Sequence, residues 1–268
     1  MKRVFRWIFF VIVALALVGA LAFWQPWRSP PSMAETSTVL PVPSGVSPPP
    51  GQSDLLAVFM SGDGGWRDLD QQVGSHINAH GIPVIGISAL EYYWHGGSAE
   101  RTANELDALI DANLASQHKS RLWLIGFSFG ADILPTVLEH LKPENRARIA
   151  QVVLLSPSTD LNFEIELEGY MRQRQGWLQS TLKTIHEQIH PIPHYPALPP
   201  LLALAGQPPV ICYYGVDDDD DTVCKESNLP AWIKVYAMPG DHHFNYDYEG
   251  LARRMIADLP AQPATASP

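Results

Sequence analysis

Positive charge is scarce in this chain. Across 268 residues, 18 Lys and Arg face 28 Asp and Glu, a formal net charge of −10. Removal of an N-terminal leader would also take Lys2, Arg3 and Arg6 and deepen the imbalance. Such a surface is a poor match for phosphate backbones, so nucleic acid is excluded as the expected partner. It tolerates amine-bearing partners better than bare anionic lipid. Cysteine is scarcer still, with only Cys212 and Cys224. Two isolated thiols cannot complete a four-ligand zinc site. In an oxidising compartment they can close a short loop, stabilising by about 3 kcal/mol. In a reducing one they remain buried thiols. No Cys lies near a leader cleavage site, which speaks against a lipoprotein anchor. His76 and His80 stand four apart on a helical stretch, as do His186 and His190, but neither pair has a third ligand at metal spacing. No metal and no cofactor is expected.

Long uncharged runs are also few. One follows Lys2, Arg3 and Arg6 and extends from Trp7 to Phe23. With Ala20-Leu21-Ala22 as a small-x-small site, residues 1–28 read as a signal peptide. Alternatively, 7–23 is an uncleaved anchor at the short end of spanning length, roughly 17 residues, with Trp24, Trp27 and Arg28 at the interface. Either reading exports the rest, and the periplasm is the expected compartment, with the protein soluble after cleavage or tethered to the inner membrane. Residues 29–53 are rich in Pro, Ser, Gly and Thr and read as a linker. The folded domain is expected over 54–259, and 260–268 reads as a disordered tail.

Within 54–259, apolar runs of strand type alternate with helical stretches. Strands are expected at 55–60, 82–87, 121–125, 151–155, 210–214 and 232–236. Helices are expected at 68–80, 99–117, 128–141 and 248–259. This alternation predicts an α/β fold, a mostly parallel sheet with helices on both faces. Residues 157–208 break the rhythm. There 162–167 alternates like a strand, 168–189 looks helical, and five prolines follow from Pro191 to Pro200. This stretch reads as a cap or lid inserted after the strand at 151–155.

The chemistry centres on Gly126-Phe127-Ser128-Phe129-Gly130, which stands between a strand and a helix. A nucleophile held on a strained turn there projects above the sheet, and side chains at the two Gly positions would strike backbone. Ser128 needs a base and an orienting acid. In α/β-hydrolase order these follow as acid, then His, each in the loop after a strand. Asp218 stands three residues after Gly215, with Asp220 and Asp221 as rivals. His243 stands three residues after Gly240, with His242 as its rival. Oxyanion donors are expected from the backbone N–H of Phe129 and one from the Asp63–Gly64 region. The set points to a serine hydrolase. Asp63 and Asp132 flank this chemistry, and either carboxylate can meet a substrate ammonium.

Ser61-Gly-Asp-Gly-Gly-Trp66, Tyr92-Tyr-Trp94, Gly126 to Pro135, the Cys212–Cys224 loop and Gly240-Asp-His-His-Phe244 together resemble the bacterial virulence protein VirJ/AcvB family, in its short VirJ-like form. The resemblance covers about residues 54–258. It implies an exported α/β hydrolase with Ser128 as nucleophile and His243 and an Asp of 217–221 as triad partners. Some long-form relatives hydrolyse the aminoacyl ester of lysyl- or alanyl-phosphatidylglycerol, which implies a membrane phospholipid substrate. The alternative it implies is an accessory protein of type IV secretion, binding secretion components on a retained hydrolase fold.

Overall fold

The computed structural model describes residues 2–24, 30–166, 189–218 and 221–260, with side chains given for 6–19 of the first stretch. The chain divides into two compact units, Met1–Pro31 and Ser32–Pro268. The first holds helix α1, Lys2–Trp24, which exposes Trp7, Phe9, Phe10, Leu15 and Leu17. Among the described residues no helix is long and apolar enough to cross a membrane. The expected anchor at 7–23 lies in this helix, with side chains given for 7–19 of it.

The second unit is built on a sheet. Its parallel core comprises β2 (Leu55–Met60), β3 (Val84–Ile87), β4 (Arg121–Phe127), β5 (Ile149–Leu155), β8 (Val210–Gly215) and β9 (Ile233–Met238). A seventh strand, β1 (Ser37–Leu40), pairs antiparallel with β3 at the edge. The order across the sheet is β1-β3-β2-β4-β5-β8-β9. The fold is therefore the expected α/β one, mostly parallel.

Of the expected linker 29–53, residues 32–53 belong instead to the folded unit. Ser37 pairs with Ile87 and Leu40 with Val84, Met33 is fully buried, and Gln52 is buried with its amide on the Pro260 carbonyl. A stretch with little apolar surface still orders when a neighbouring strand offers an unpaired edge, because ladder hydrogen bonds do not depend on side-chain type.

All six residues of β2 are buried, since helices cover both faces of a parallel sheet. Leu56, Val58 and Met60 share one core with α4 (Ala99–Ser116) and α5 (Phe129–His140). Leu55, Ala57 and Phe59 share the other with α2 (Asp68–Ala79) and α8 (Tyr248–Ala257). The chain goes from β2 outward to β3 and then crosses back to β4. The carboxyl ends of β2 and β4 thus flank the point where the winding reverses, which is where open α/β sheets bind ligands.

Short elements fill the rest: α3 (Ala89–Tyr92), α6 (Pro143–Arg146) and α7 (Leu198–Ala203). In the insertion, β6 (Asp160–Leu161) pairs with β7 (Tyr195–Pro196). The described strand is thus 160–161 rather than 162–167. Residues 167–188, nearly all of the expected lid helix, lie outside the described residues.

Candidate active site

Ser128 sits at the junction of β4 and α5 with φ 49° and ψ −122°. That conformation is strained for a residue bearing a Cβ, and three backbone hydrogen bonds hold it. Its N–H donates to the Leu155 carbonyl at 2.9 Å, and its carbonyl accepts from Ala131 at 2.7 Å and Asp132 at 3.0 Å. The glycines around it are sterically required. A Cβ on Gly126 would lie 2.5 Å from the Gly130 oxygen, and one on Gly130 would lie 2.3 Å from the Met60 oxygen. The elbow therefore presses directly on the end of β2.

The Gly-rich loop after β2 is pinned at both ends. The buried Asp70 carboxylate on α2 accepts the Gly62 N–H at 3.3 Å. At the other end the Trp66 ring lies over Gly86 and Gly74, where any Cβ would strike it, and meets Phe59 edge-on. Asp63 and Gly64 lie between these fixed points, and both line the same cavity as Ser128. Phe129, the other expected oxyanion donor, opens α5, where the helix dipole favours negative charge.

The loops after β8 and β9 are joined through their backbones. Asp217 donates to the Gly240 carbonyl at 2.9 Å and Val216 to the Met238 carbonyl at 2.9 Å. A Cβ on Gly215 would lie 2.1 Å from the Asp241 oxygen, so only Gly permits this approach. The junction delivers an acid to an imidazole: Asp218 Oδ2 lies 2.9 Å from His242 Nδ1. The Cys212–Cys224 disulfide closes the acid loop from below, with both residues buried.

The histidine held by Asp218 is thus His242, not the expected His243. Counting from Gly240 misleads because the chain turns sharply here. Phe244, Asn245 and Tyr246 all take positive φ, 53°, 52° and 62°. The Asp241 carboxylate caps the His243 N–H at 2.9 Å. The His243 ring instead stacks on Tyr246, with centroids 5.7 Å apart and planes within 7°, and its Nδ1 lies 3.3 Å from the Tyr248 hydroxyl. Burial, and then the neighbouring His242, push its pKa below the usual histidine value.

Among the other expected residues, Asp221 lines the cavity and bonds the Thr159 hydroxyl, whereas Asp220 lies outside the described residues. Asp132 is buried in the first turn of α5. Its carboxylate accepts the Ser158 N–H at 2.6 Å, and desolvation pushes its pKa well above the carboxylate range. It braces the 156–158 segment, and the cavity wall does not include it. The cavity, about 750 Å³, is lined by the loops that follow β2, β4, β5, β8 and β9 and by α2. Among the described residues its wall carries Asp63, Asp68, Asp70, Asp218 and Asp221, with Arg67 as the one Lys or Arg.

The wall includes residues the sequence reading passed over. Asp70 falls within the expected helix 68–80, Ser156 just after the expected strand 151–155, Tyr246 just before the expected helix 248–259, and Tyr248 at its first position. For Tyr246 and Tyr248 a signal existed, since aromatic residues follow the His pair directly.

Comparison with known proteins bears on this geometry. The family profile described as "Bacterial virulence protein (VirJ)" matches residues 54–262. The chain belongs to the VirJ family. The match spans the whole parallel core and every loop that lines the cavity. Solved structures extend the likeness to the fold. XC6422 from Xanthomonas campestris, described as an α/β serine hydrolase without lid, is 15% identical over 85% of this chain and 90% of its own, with a TM-score of 0.50. Est1E from Butyrivibrio proteoclasticus is 11% identical over 82% and 91%, with a TM-score of 0.51. The Pyrococcus furiosus esterase Pf2001 is 14% identical over 77% and 82%, with a TM-score of 0.53. At these identities the likeness shows the α/β-hydrolase fold alone for this VirJ-family chain. Comparison with curated proteins gives no match.

Proposed function

We propose that this VirJ-family protein is a serine hydrolase that cleaves a carboxylic ester through Ser128, His242 and Asp218. The observation that carries this reading is the 2.9 Å contact between Asp218 and His242 Nδ1 on the wall of the cavity that also holds Ser128. A carboxylate on Nδ1 leaves Nε2 as the basic nitrogen and stabilises the imidazolium when it forms. His242 then takes the Ser128 proton as the hydroxyl attacks the ester carbonyl. The resulting oxyanion is met by N–H groups at Phe129 and at Asp63–Gly64. Collapse releases the alcohol, which takes the proton from His242, and water repeats the sequence on the acyl-enzyme.

The substrate we infer is the aminoacyl ester of an aminoacylated phosphatidylglycerol. A wall where Asp63, Asp68, Asp218 and Asp221 stand against one guanidinium favours an acyl group that carries an ammonium. Asp63 and Asp221 line this wall and are the carboxylates we assign to the ammonium, whereas Asp132 does not line it. The disulfide fits an extracytoplasmic protein, and the periplasm is the compartment where this lipid and this bond would meet.

The test is incubation of the purified full chain with lysyl- and alanyl-phosphatidylglycerol in vesicles, measuring released amino acid. The reading expects release by the wild type and loss of about 10⁴-fold or more in Ser128→Ala. Equal release by both would remove the hydrolase and favour an accessory role in secretion. Asp63→Asn should slow an aminoacyl ester more than a neutral one, and equal effects would remove ammonium recognition.

A further inference from the structure

Two adjacent histidines line one cavity, and only one of them holds the acid. His243 is not a spare base. Its Nδ1 lies 3.3 Å from the Tyr248 hydroxyl, and Tyr248 is buried at the first turn of α8. A phenol is a good donor and a weak acceptor, while a neutral imidazole nitrogen accepts strongly, so Tyr248 donates to Nδ1. Burial pushes the Tyr248 hydroxyl up to about 12, so it keeps its proton across the working range. With Nδ1 occupied as an acceptor, the ring proton resides on Nε2. Stacking on Tyr246 fixes the plane of the ring. The same burial that lowers the His243 pKa keeps the ring neutral, so this tautomer persists at neutral pH.

We propose that His243 is a hydrogen-bond donor to the substrate, presenting Nε2–H to an acceptor oxygen of the ester or of its departing alcohol. An ester contributes only acceptors of its own, and the backbone N–H groups at Phe129 and Asp63–Gly64 are taken up by its carbonyl oxygen. A neutral N–H on the wall adds a side-chain donor for another ester oxygen without adding a positive charge that would repel an ammonium-bearing acyl group. The inference rests on the hydrolase reading with His242 as base, and it adds a second, distinct task for the His pair.

The experiment uses the full chain and a soluble neutral ester, with His243→Gln, His243→Leu and Ser128→Ala compared. Gln retains an N–H donor close to the Nε2 position, and Leu removes it. His243→Leu should lower kcat/KM about 10-fold, the range for one lost hydrogen bond. His243→Gln should stay within about 3-fold of the wild type, and both should keep the wild-type pH profile, because the base is untouched. In the unsubstituted protein, ¹⁵N NMR of the ring should show Nδ1 bare and Nε2 protonated at neutral pH. Three results would overturn the proposal: His243→Gln as inactive as Ser128→Ala, His243→Leu as active as the wild type, or a ring protonated at Nδ1. A wild-type rate no higher than that of Ser128→Ala would instead remove the hydrolase reading, and this proposal with it.

Discussion

The serine elbow shows how few residues decide the site. Gly126 and Gly130 are required because backbone oxygens of neighbouring strand and helix occupy the places where a Cβ would stand. Gly130→Ala should destabilise by about 1–3 kcal/mol, the usual cost of forcing an atom into a packed interior, as read by denaturant unfolding. It should also lower activity, because relief of the clash moves Ser128. Asp132 carries a different prediction. Its folded pKa is raised by burial, so its contribution to stability is complete below the ordinary carboxylate value and is lost as pH rises through the raised one. Asp132→Asn keeps a carbonyl oxygen for the Ser158 N–H but has no proton to lose. As pH rises from about 4, the wild type should lose more stability than the variant, measured by thermal unfolding across the pH range. Parallel curves would mean that Asp132 is not the buried acid described here.

At the scale of elements, the strands and their loops were legible in the sequence because β-runs buried on both faces need continuous apolar residues, as in Leu55–Met60. The elbow was legible because its glycines report a steric demand that no other residue meets. Asp218 could be placed by its distance from Gly215, since that glycine lets the two loops touch. The choice between His242 and His243 was not legible. It depends on three successive residues of positive φ, and neither Phe244 nor Tyr246 signals that conformation. The disulfide belongs to this scale too. It ties β8 to Cys224, beyond Asp218 in the chain, and so limits how far the acid can drift from His242. Replacing Cys212 and Cys224 together with Ala should cost about 3 kcal/mol in stability and reduce kcat. Full activity in a destabilised variant would show that the bond stabilises the fold without positioning Asp218.

For the whole molecule, the sequence misplaces the start of the folded unit. Composition separates 29–53 from the rest, but Ser37–Leu40 completes the sheet edge and Met33 is buried. Composition reports what a segment can bury alone, not what an existing edge can recruit. Truncation should expose the difference. A chain starting at Ser32 should unfold close to the full chain, whereas one starting at Asp54 should lose several kcal/mol or aggregate through the uncovered edge of β3. Equal stability of both would return 29–53 to the status of a linker.

The most direct measurement of the central claim is covalent. A fluorophosphonate reacts with a serine only where a base and oxyanion donors activate it. Peptide mass spectrometry of the treated full chain should find the adduct on Ser128. The adduct should persist in His243→Gln and be lost in His242→Ala and Ser128→Ala. Labelling that survives in His242→Ala, or no adduct on Ser128 in the wild type, would contradict the account.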